Sequence, residues 1–201
     1  MSRISCKKCR RLGESLCGRD KCAFKRKPYP PGKLDSERKH KSVRSEFGAH
    51  LIEKQKVRNV YGVGEKQFSN YVKKAKEKKG TNPTETLYES LESRLDNIVF
   101  RLGLASSRAL SRQLVSHGHI IVNGRKVTIP SYRGVPGDKI SIREGSKGIG
   151  PFKELAVKLE KYPHPEWIKF DMGSGEALIQ GKPKDANFPF NLSSVIEFYS
   201  R

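Results

Sequence analysis

The sequence predicts an α+β protein with a basic N-terminal arm, an all-helical domain, and a domain in which a helix-turn-helix precedes antiparallel strands. Apolar residues recur at helical spacing from Ser45 to Val115, and the period then changes to that of strands. The prolines and glycine of FKRKPYPPG disfavour regular structure in the first 44 residues. We therefore expect an extended arm at 1–44, a helical domain at 45–89 and a mixed domain at 90–185.

Two helices are predicted in the helical domain. EFGAHLIEKQKVRNVYG has apolar residues on one side and closes at Tyr61, because Gly62 follows. A second helix, from Glu65 to Lys79, buries Phe68 and Val72 and turns its lysines outward. This domain therefore combines an apolar face with a row of cations.

The next apolar stretch predicts one long helix that starts at Asn82-Pro83 and continues to Leu102. Ser106 or Ser107 is placed to cap the following helix. Asn123-Gly124 is typical of a tight type I′ hairpin between IIV and RKVTI, and DKISIR predicts a third strand. Residues 152–161 are predicted to be helical, and EWIKFD and EALIQ to be short strands.

The formal charge of +20 requires an anionic partner. Residues 1–80 hold 24 of the 41 Lys and Arg but 8 of the 21 Asp and Glu, so the arm and the helical domain contain most of the excess. Neither a run of about 18 to 20 apolar residues nor the apolar core of a signal peptide is present, which disfavours a membrane partner. We expect a cytosolic protein that binds nucleic acid.

All four cysteines lie within 17 residues, as Cys6-x2-Cys9 and Cys17-x4-Cys22. Two close pairs can offer four thiolates to one tetrahedral ion. The sequence therefore predicts a closed, structural zinc site that pins the arm, with an iron-sulfur cluster as the alternative.

The mixed domain contains the pattern of an RNA-binding surface. Its second helix presents Arg108 and Arg112 one turn apart, and the amide-rich start of that helix at Ser107 suits a phosphate. Two arginines alone would also fit an ordinary solvated face. The hairpin that follows, beyond His117, favours the functional interpretation.

The stretch SRLDNIVFRLG, together with SRALSRQLVSHGHIIVNGRKV, resembles the RNA-binding module called the alpha-L motif, here at residues 91–142. FKRKPYPPG, EKQKVRNVYGV with GEKQF, and the closing FPFNLSSVIEFYSR are similar to the family of bacterial small-subunit ribosomal protein four, in the same order. The resemblance extends from about Cys6 to Arg201.

The resemblance implies a structural constituent of the small ribosomal subunit in the cytoplasm. Such a protein is a primary binder of ribosomal RNA that nucleates assembly of the subunit body and contributes to translational accuracy. Neighbouring small-subunit proteins, notably protein five, are the implied partners, and some members also bind their own messenger RNA. Residues 186–201 would complete the helical domain. The family's metal ligands align with the four cysteines, although the segment between the two pairs is shorter here than the resemblance leads us to expect.

RNA helices hide their base edges in a deep major groove, so recognition of folded RNA relies on backbone positions and 2′-hydroxyls. Cations on a rigid scaffold suit this task. The candidate contacts are Arg10, Arg11, Lys25, Arg26, Lys27, Arg44, Lys54, Lys56, Arg58, Lys66, Ser107, Arg108, Arg112 and His117.

Features of two other classes of protein are present in the sequence. An RNA-modifying enzyme is suggested by the triplet Arg94-Leu95-Asp96, but too little chain remains for a separate catalytic domain, so we expect no enzymatic activity and a surface or ion-pair role for Asp96. A zinc-dependent nucleic-acid-binding regulator would place a recognition helix directly after its ligands. FKRKPYPPG after Cys22 does not suit such a helix.

Overall fold

A computed structural model of the chain describes residues 4–32, 44–148, 152, 162–171, 174–184 and 188–200. The described helices are α1 (Cys6–Leu12), α2 (Ala23–Arg26), α3 (Glu46–Tyr61), α4 (Glu65–Glu77), α5 (Pro83–Glu92), α6 (Leu95–Arg101), α7 (Arg108–Ser116) and α8 (Leu192–Phe198). The described strands are β1 (Ile120–Val122), β2 (Arg125–Lys126), β3 (Lys139–Ile142), β4 (Ile168–Asp171) and β5 (Glu176–Ile179). The predicted α+β class is confirmed.

The chain divides into two compact units. The helical unit comprises Met1–Thr84 and Asn187–Arg201, and the sheet unit comprises Glu85–Ala186. Residues 1–44, which are predicted to form a separate arm, belong to the helical unit. Their assignment to a region of their own stays a prediction. Within the described parts of the chain, no helix is long and apolar enough to span a membrane.

The N-terminal part of the helical unit contains two short helices, so the expectation of an extended arm is wrong at α1 and α2. Gly13 ends α1 in the left-handed conformation at φ 74°. The N–H of Gly13 donates to the Cys9 carbonyl. A glycine tolerates this conformation at little cost, so the chain turns back tightly between the two cysteine pairs. Residues 33–43 lie outside the described residues.

The predicted helices of the helical unit are confirmed as α3 and α4. The Ser45 hydroxyl caps α3 by accepting a hydrogen bond from the Gly48 N–H, and Gly62 ends it at φ 62°. Phe68, Val72 and Ala75 of α4 are fully buried. Because apolar residues three and four apart share one helix face, α4 buries that face and leaves its lysines at the surface.

The single helix predicted from Asn82 to Leu102 is wrong, because the chain breaks into α5 and α6 at Ser93 and Arg94. Arg94 is extended, at φ −68° and ψ 136°, and forms an isolated antiparallel bridge with Arg133. The Ser93 carbonyl accepts from the Gly134 N–H at 2.8 Å. Hydrogen bonds to the loop after β2 thus replace those of a continuous helix.

The sheet unit places α6 and α7 against a five-stranded antiparallel sheet of order β2-β1-β3-β5-β4. Asn123 and Gly124 both have positive φ, at 48° and 76°, and join β1 to β2 as the predicted type I′ hairpin. EWIKFD and EALIQ are confirmed as strands β4 and β5. The predicted helix at 152–161 lies outside the described residues, apart from the buried Phe152.

Candidate metal centre and nucleic-acid interface

The four cysteines meet in the helical unit. The Sγ atoms of Cys6, Cys17 and Cys22 all lie within 4.8 Å of one another, and the buried Cys9 thiol interacts with those of Cys17 and Cys22. Four thiolates at about 2.3 Å from a zinc ion place neighbouring sulfurs about 3.8 Å apart. The described thiols are close to this arrangement, so their positions and their chemistry both fit a four-coordinate metal.

The cysteines differ in how readily they ionise. Burial raises the pKa of Cys9 to about 12, whereas a hydrogen bond from the Ser15 side chain lowers the pKa of Cys22 to about 6. A metal binds the thiolate form, so the lowered pKa of Cys22 favours its use as a ligand, whereas the raised pKa of Cys9 opposes it.

Basic side chains surround this centre. The Arg10 guanidinium lies 4.7 Å from the centre of the Tyr29 ring, and its Nε donates to the Tyr29 carbonyl at 3.0 Å. The remaining predicted contacts of this region are all exposed, namely Arg11, Lys25, Arg26 and Lys27. Arg10 therefore has a fixed position, and the exposed group can adapt to a phosphate backbone.

The predicted contacts on α3 are mostly engaged within the helical unit. Lys54 is only 5% exposed, and its Nζ donates to Glu65 at 2.6 Å and lies over the Phe198 ring. Lys56 pairs with Glu14 at 2.9 Å and with Glu53 at 2.7 Å.

Arg58 Nη1 lies 3.0 Å from Glu65. Arg44 and Lys66 are exposed. Among the predicted contacts of this unit, Lys54 differs because it is buried against Glu65 and Phe198. Its burial disfavours an RNA contact.

In the sheet unit, the Ser107 hydroxyl caps α7 by accepting from the Leu110 N–H. Because the cap uses this hydroxyl, a phosphate at the helix start would be bound by backbone amides. His117 is exposed at the end of α7, with its ring 6.0 Å from that of His119.

Sequence reasoning missed the buried acids of the sheet unit. Glu92 is fully buried and Asp96 is 3% exposed, and both accept hydrogen bonds from arginines. The ion-pair role considered for Asp96 is confirmed, and a surface position is wrong. Two acids at i and i+4 within an apolar pattern were the available signal, because an acid at a buried position requires a cationic partner.

These features define a class of protein: a basic α+β protein with a cysteine cluster and a helix-turn-helix-hairpin module of the nucleic-acid-binding kind. Comparison with known families agrees. The family described as "Ribosomal protein S4/S9 N-terminal domain" matches residues 2–92, and the one described as "S4 domain" matches residues 93–140.

Similar proteins cover almost the whole chain. The "Small ribosomal subunit protein uS4" of Halothermothrix orenii is 43% identical over 204 residues, 98% of this chain and 96% of that protein. Proteins with the same name from Caldicellulosiruptor bescii and Thermus thermophilus are 44% and 42% identical, again with 98% of this chain and 96% of the relative covered. The chain belongs to the uS4 family of small ribosomal subunit proteins, which is not an enzyme family.

Proposed function

We propose that the protein is a structural constituent of the small ribosomal subunit and binds ribosomal RNA directly, in the cytoplasm. The observation that carries this proposal is the near-complete match to uS4 relatives over 98% of the chain. The partly exposed arginines of α7 and the exposed cations near the cysteine cluster support it, because RNA is held chiefly through phosphates and 2′-hydroxyls.

The mechanism combines two kinds of cation. Exposed side chains supply attraction to phosphates, while Arg108 and Arg112 on the rigid α7 read the spacing of the backbone. The contacts that we retain are Arg10, Arg11, Lys25, Arg26, Lys27, Arg44, Lys56, Arg58, Lys66, Ser107, Arg108, Arg112 and His117. Lys54 is omitted because it is buried.

We further propose that the protein binds early to the RNA, nucleates assembly of the subunit body and contributes to translational accuracy. Its two compact units support this proposal, because a folded scaffold loses little conformational freedom on binding. Protein five is the proposed neighbour, and the protein's own messenger RNA is a proposed second ligand.

Zinc is the proposed metal, held by Cys6, Cys9, Cys17 and Cys22, and an iron-sulfur cluster is the alternative. When bound, the metal supplies a structural cross-link between α1, the turn after it and the start of α2. The metal content of the purified protein and its visible absorption distinguish the two. We expect one zinc per chain and no visible absorption. Bound iron with a broad visible absorption band would instead identify an iron-sulfur cluster.

The test of RNA binding is a titration of the purified protein against three ligands at one physiological salt concentration. The ligands are the five-prime domain of small-subunit ribosomal RNA, an unrelated folded RNA and duplex DNA. A marked preference for the ribosomal fragment is expected. Equal binding to all three would reduce the protein to a general polycation and contradict the proposal.

A further inference from the structure

The arginines of the sheet unit are held by two buried acids. We infer that Glu92 and Asp96 are positioning residues for RNA binding, which fix Arg101, Arg108 and Arg112 in the orientation that meets the phosphates. This inference rests on the proposed function. It assigns a role in binding to two negative charges, whose presence opposes the attraction of a polyanion.

Asp96 is the centre of the first group. One of its oxygens accepts from Arg94 Nη2 at 2.8 Å and from Arg112 Nε at 2.9 Å. The Arg94 side chain is 3% exposed, whereas that of Arg112 is 19% exposed. Arg94 thus neutralises the acid in the interior, while Arg112 is held by the same carboxylate and remains partly exposed.

Glu92 is the centre of the second group. Its carboxylate accepts from Arg101 Nε at 2.9 Å and from Asn97 Nδ2 at 2.8 Å, and Arg108 Nη2 lies 4.0 Å away. The Asn97 Oδ1 in turn accepts from Arg108 Nε at 2.7 Å. Arg101 and Arg108 retain 30% and 20% side-chain exposure. Both arginines are therefore anchored through their Nε atoms to a side chain that is itself fixed.

A third contact orients Arg108. Its guanidinium carbon lies 4.4 Å from the centre of the Phe100 ring. An aromatic face and a hydrogen bond on Nε together define the plane of the guanidinium.

The three arginines are long side chains that lose rotamer freedom when they bind a phosphate. The acids impose this loss during folding, so less is lost when RNA binds. Because the guanidinium is planar and carries several N–H donors, an arginine whose plane is fixed by a carboxylate can meet a phosphate with its exposed part in a defined orientation.

The experiment is a double-mutant cycle on the full-length, metal-loaded protein with the ribosomal five-prime fragment. Asp96→Asn is expected to weaken binding about tenfold, although the variant gains a net positive charge. Arg112→Gln is expected to weaken it to a similar extent. The double variant should bind no more weakly than Arg112→Gln, because Asp96 acts through that arginine. Independent, multiplicative losses would overturn the inference.

Glu144→Gln is the matched control, because Glu144 lies in the same unit but is exposed and pairs with the nearby Lys147. Both substitutions remove one negative charge. Attraction alone predicts that each variant binds as tightly as the wild type or more tightly. If Asp96→Asn behaves like Glu144→Gln, the positioning role is wrong.

Arg112→Lys keeps the inference testable if Asp96→Asn fails to fold. Lysine retains the charge but has no guanidinium to be fixed against the acid. Weaker binding to the ribosomal fragment with an unchanged salt dependence is expected, and wild-type affinity would overturn the inference. Wild-type protein that shows no preference for the fragment would instead contradict the proposed function itself.

Discussion

The cations near the cysteine cluster and those of α7 differ in what holds them. Arg11, Lys25, Arg26 and Lys27 are exposed on short helices or the adjoining turn, whereas the α7 arginines Arg112 and Arg108 are anchored to the buried Asp96 and Asn97. Exposed cations attract any phosphate backbone, and anchored arginines favour one arrangement of phosphates. If the protein binds RNA as proposed, we expect the first region to supply most of the binding strength and the second to supply the discrimination.

The largest expected effect follows from removing charge near the cysteine cluster. Substitution of the four exposed residues Arg11, Lys25, Arg26 and Lys27 by glutamine should weaken binding to every RNA by about a hundredfold or more. The dependence of affinity on salt should become less steep, because a variant that makes fewer phosphate contacts releases fewer counterions when it binds. A filter-binding titration over a range of salt concentrations measures both quantities. A loss of affinity for the ribosomal fragment alone would show that these exposed cations supply discrimination and not general binding strength.

Disrupting the metal site should have a smaller effect on RNA binding. Cys9→Ser removes a buried proposed ligand, so the backbone of α1 and α2 that carries the surrounding cations becomes less ordered, and binding to the ribosomal fragment should weaken about tenfold. Metal content and RNA affinity are measured together. Ser5→Ala, next to the cluster but without a thiol, is the control. Unchanged affinity in a metal-free Cys9→Ser protein would make the metal dispensable for binding.

Loss of the aromatic face beside Arg108 should have a modest effect. Phe100→Leu keeps an apolar side chain but removes the cation-π contact, which is worth about 0.5–1 kcal/mol at such sites. Affinity for the ribosomal fragment should fall about threefold, and affinity for unrelated RNA should not change. An equal loss for both RNAs would indicate that Arg108 contributes charge alone.

The smallest effect on RNA binding is expected at Glu65. Partial burial raises the pKa of Glu65, but hydrogen bonds from Lys54 and Tyr199 outweigh it and hold the pKa below its ordinary value. Its charged form therefore stabilises the fold above the ordinary pKa of a glutamate, and this stabilisation is lost as pH falls through the lowered pKa. Glu65→Gln should lower the free energy of unfolding at pH 7 by about 1 kcal/mol, a discounted figure because the carboxylate is half exposed.

Urea unfolding of Glu65→Gln and the wild type at pH 7 and at about pH 3 checks this expectation. The difference should shrink at the lower pH, and RNA affinity at pH 7 should not change. A difference independent of pH would show that the Glu65 charge is not the cause.

Much of this account follows from local sequence. The ends of α3 at Ser45 and Gly62, the cap of α7 at one of the two serines Ser106 and Ser107, and the turn at Asn123-Gly124 depend on neighbouring residues, and each is predicted by the sequence. The cysteine cluster was likewise predicted from spacing.

The remaining features depend on distant partners. The break at Arg94 requires the bridge to Arg133, and the burial of Lys54 requires Glu65 and Phe198. The anchoring of Arg112 requires that α6 and α7 pack with Asp96 between them. Helical periodicity identifies a face but not what covers it, so these contacts were not predictable from the pattern.

One measurement tests most directly whether the exposed cations supply binding strength and the anchored arginines supply discrimination. The affinity of the wild-type protein is determined for the ribosomal five-prime fragment and for an unrelated folded RNA at a low and a high salt concentration. Both affinities should fall with salt, and the ratio between them should persist, because the anchored arginines read geometry as well as charge. A ratio that falls to one at high salt would contradict the account.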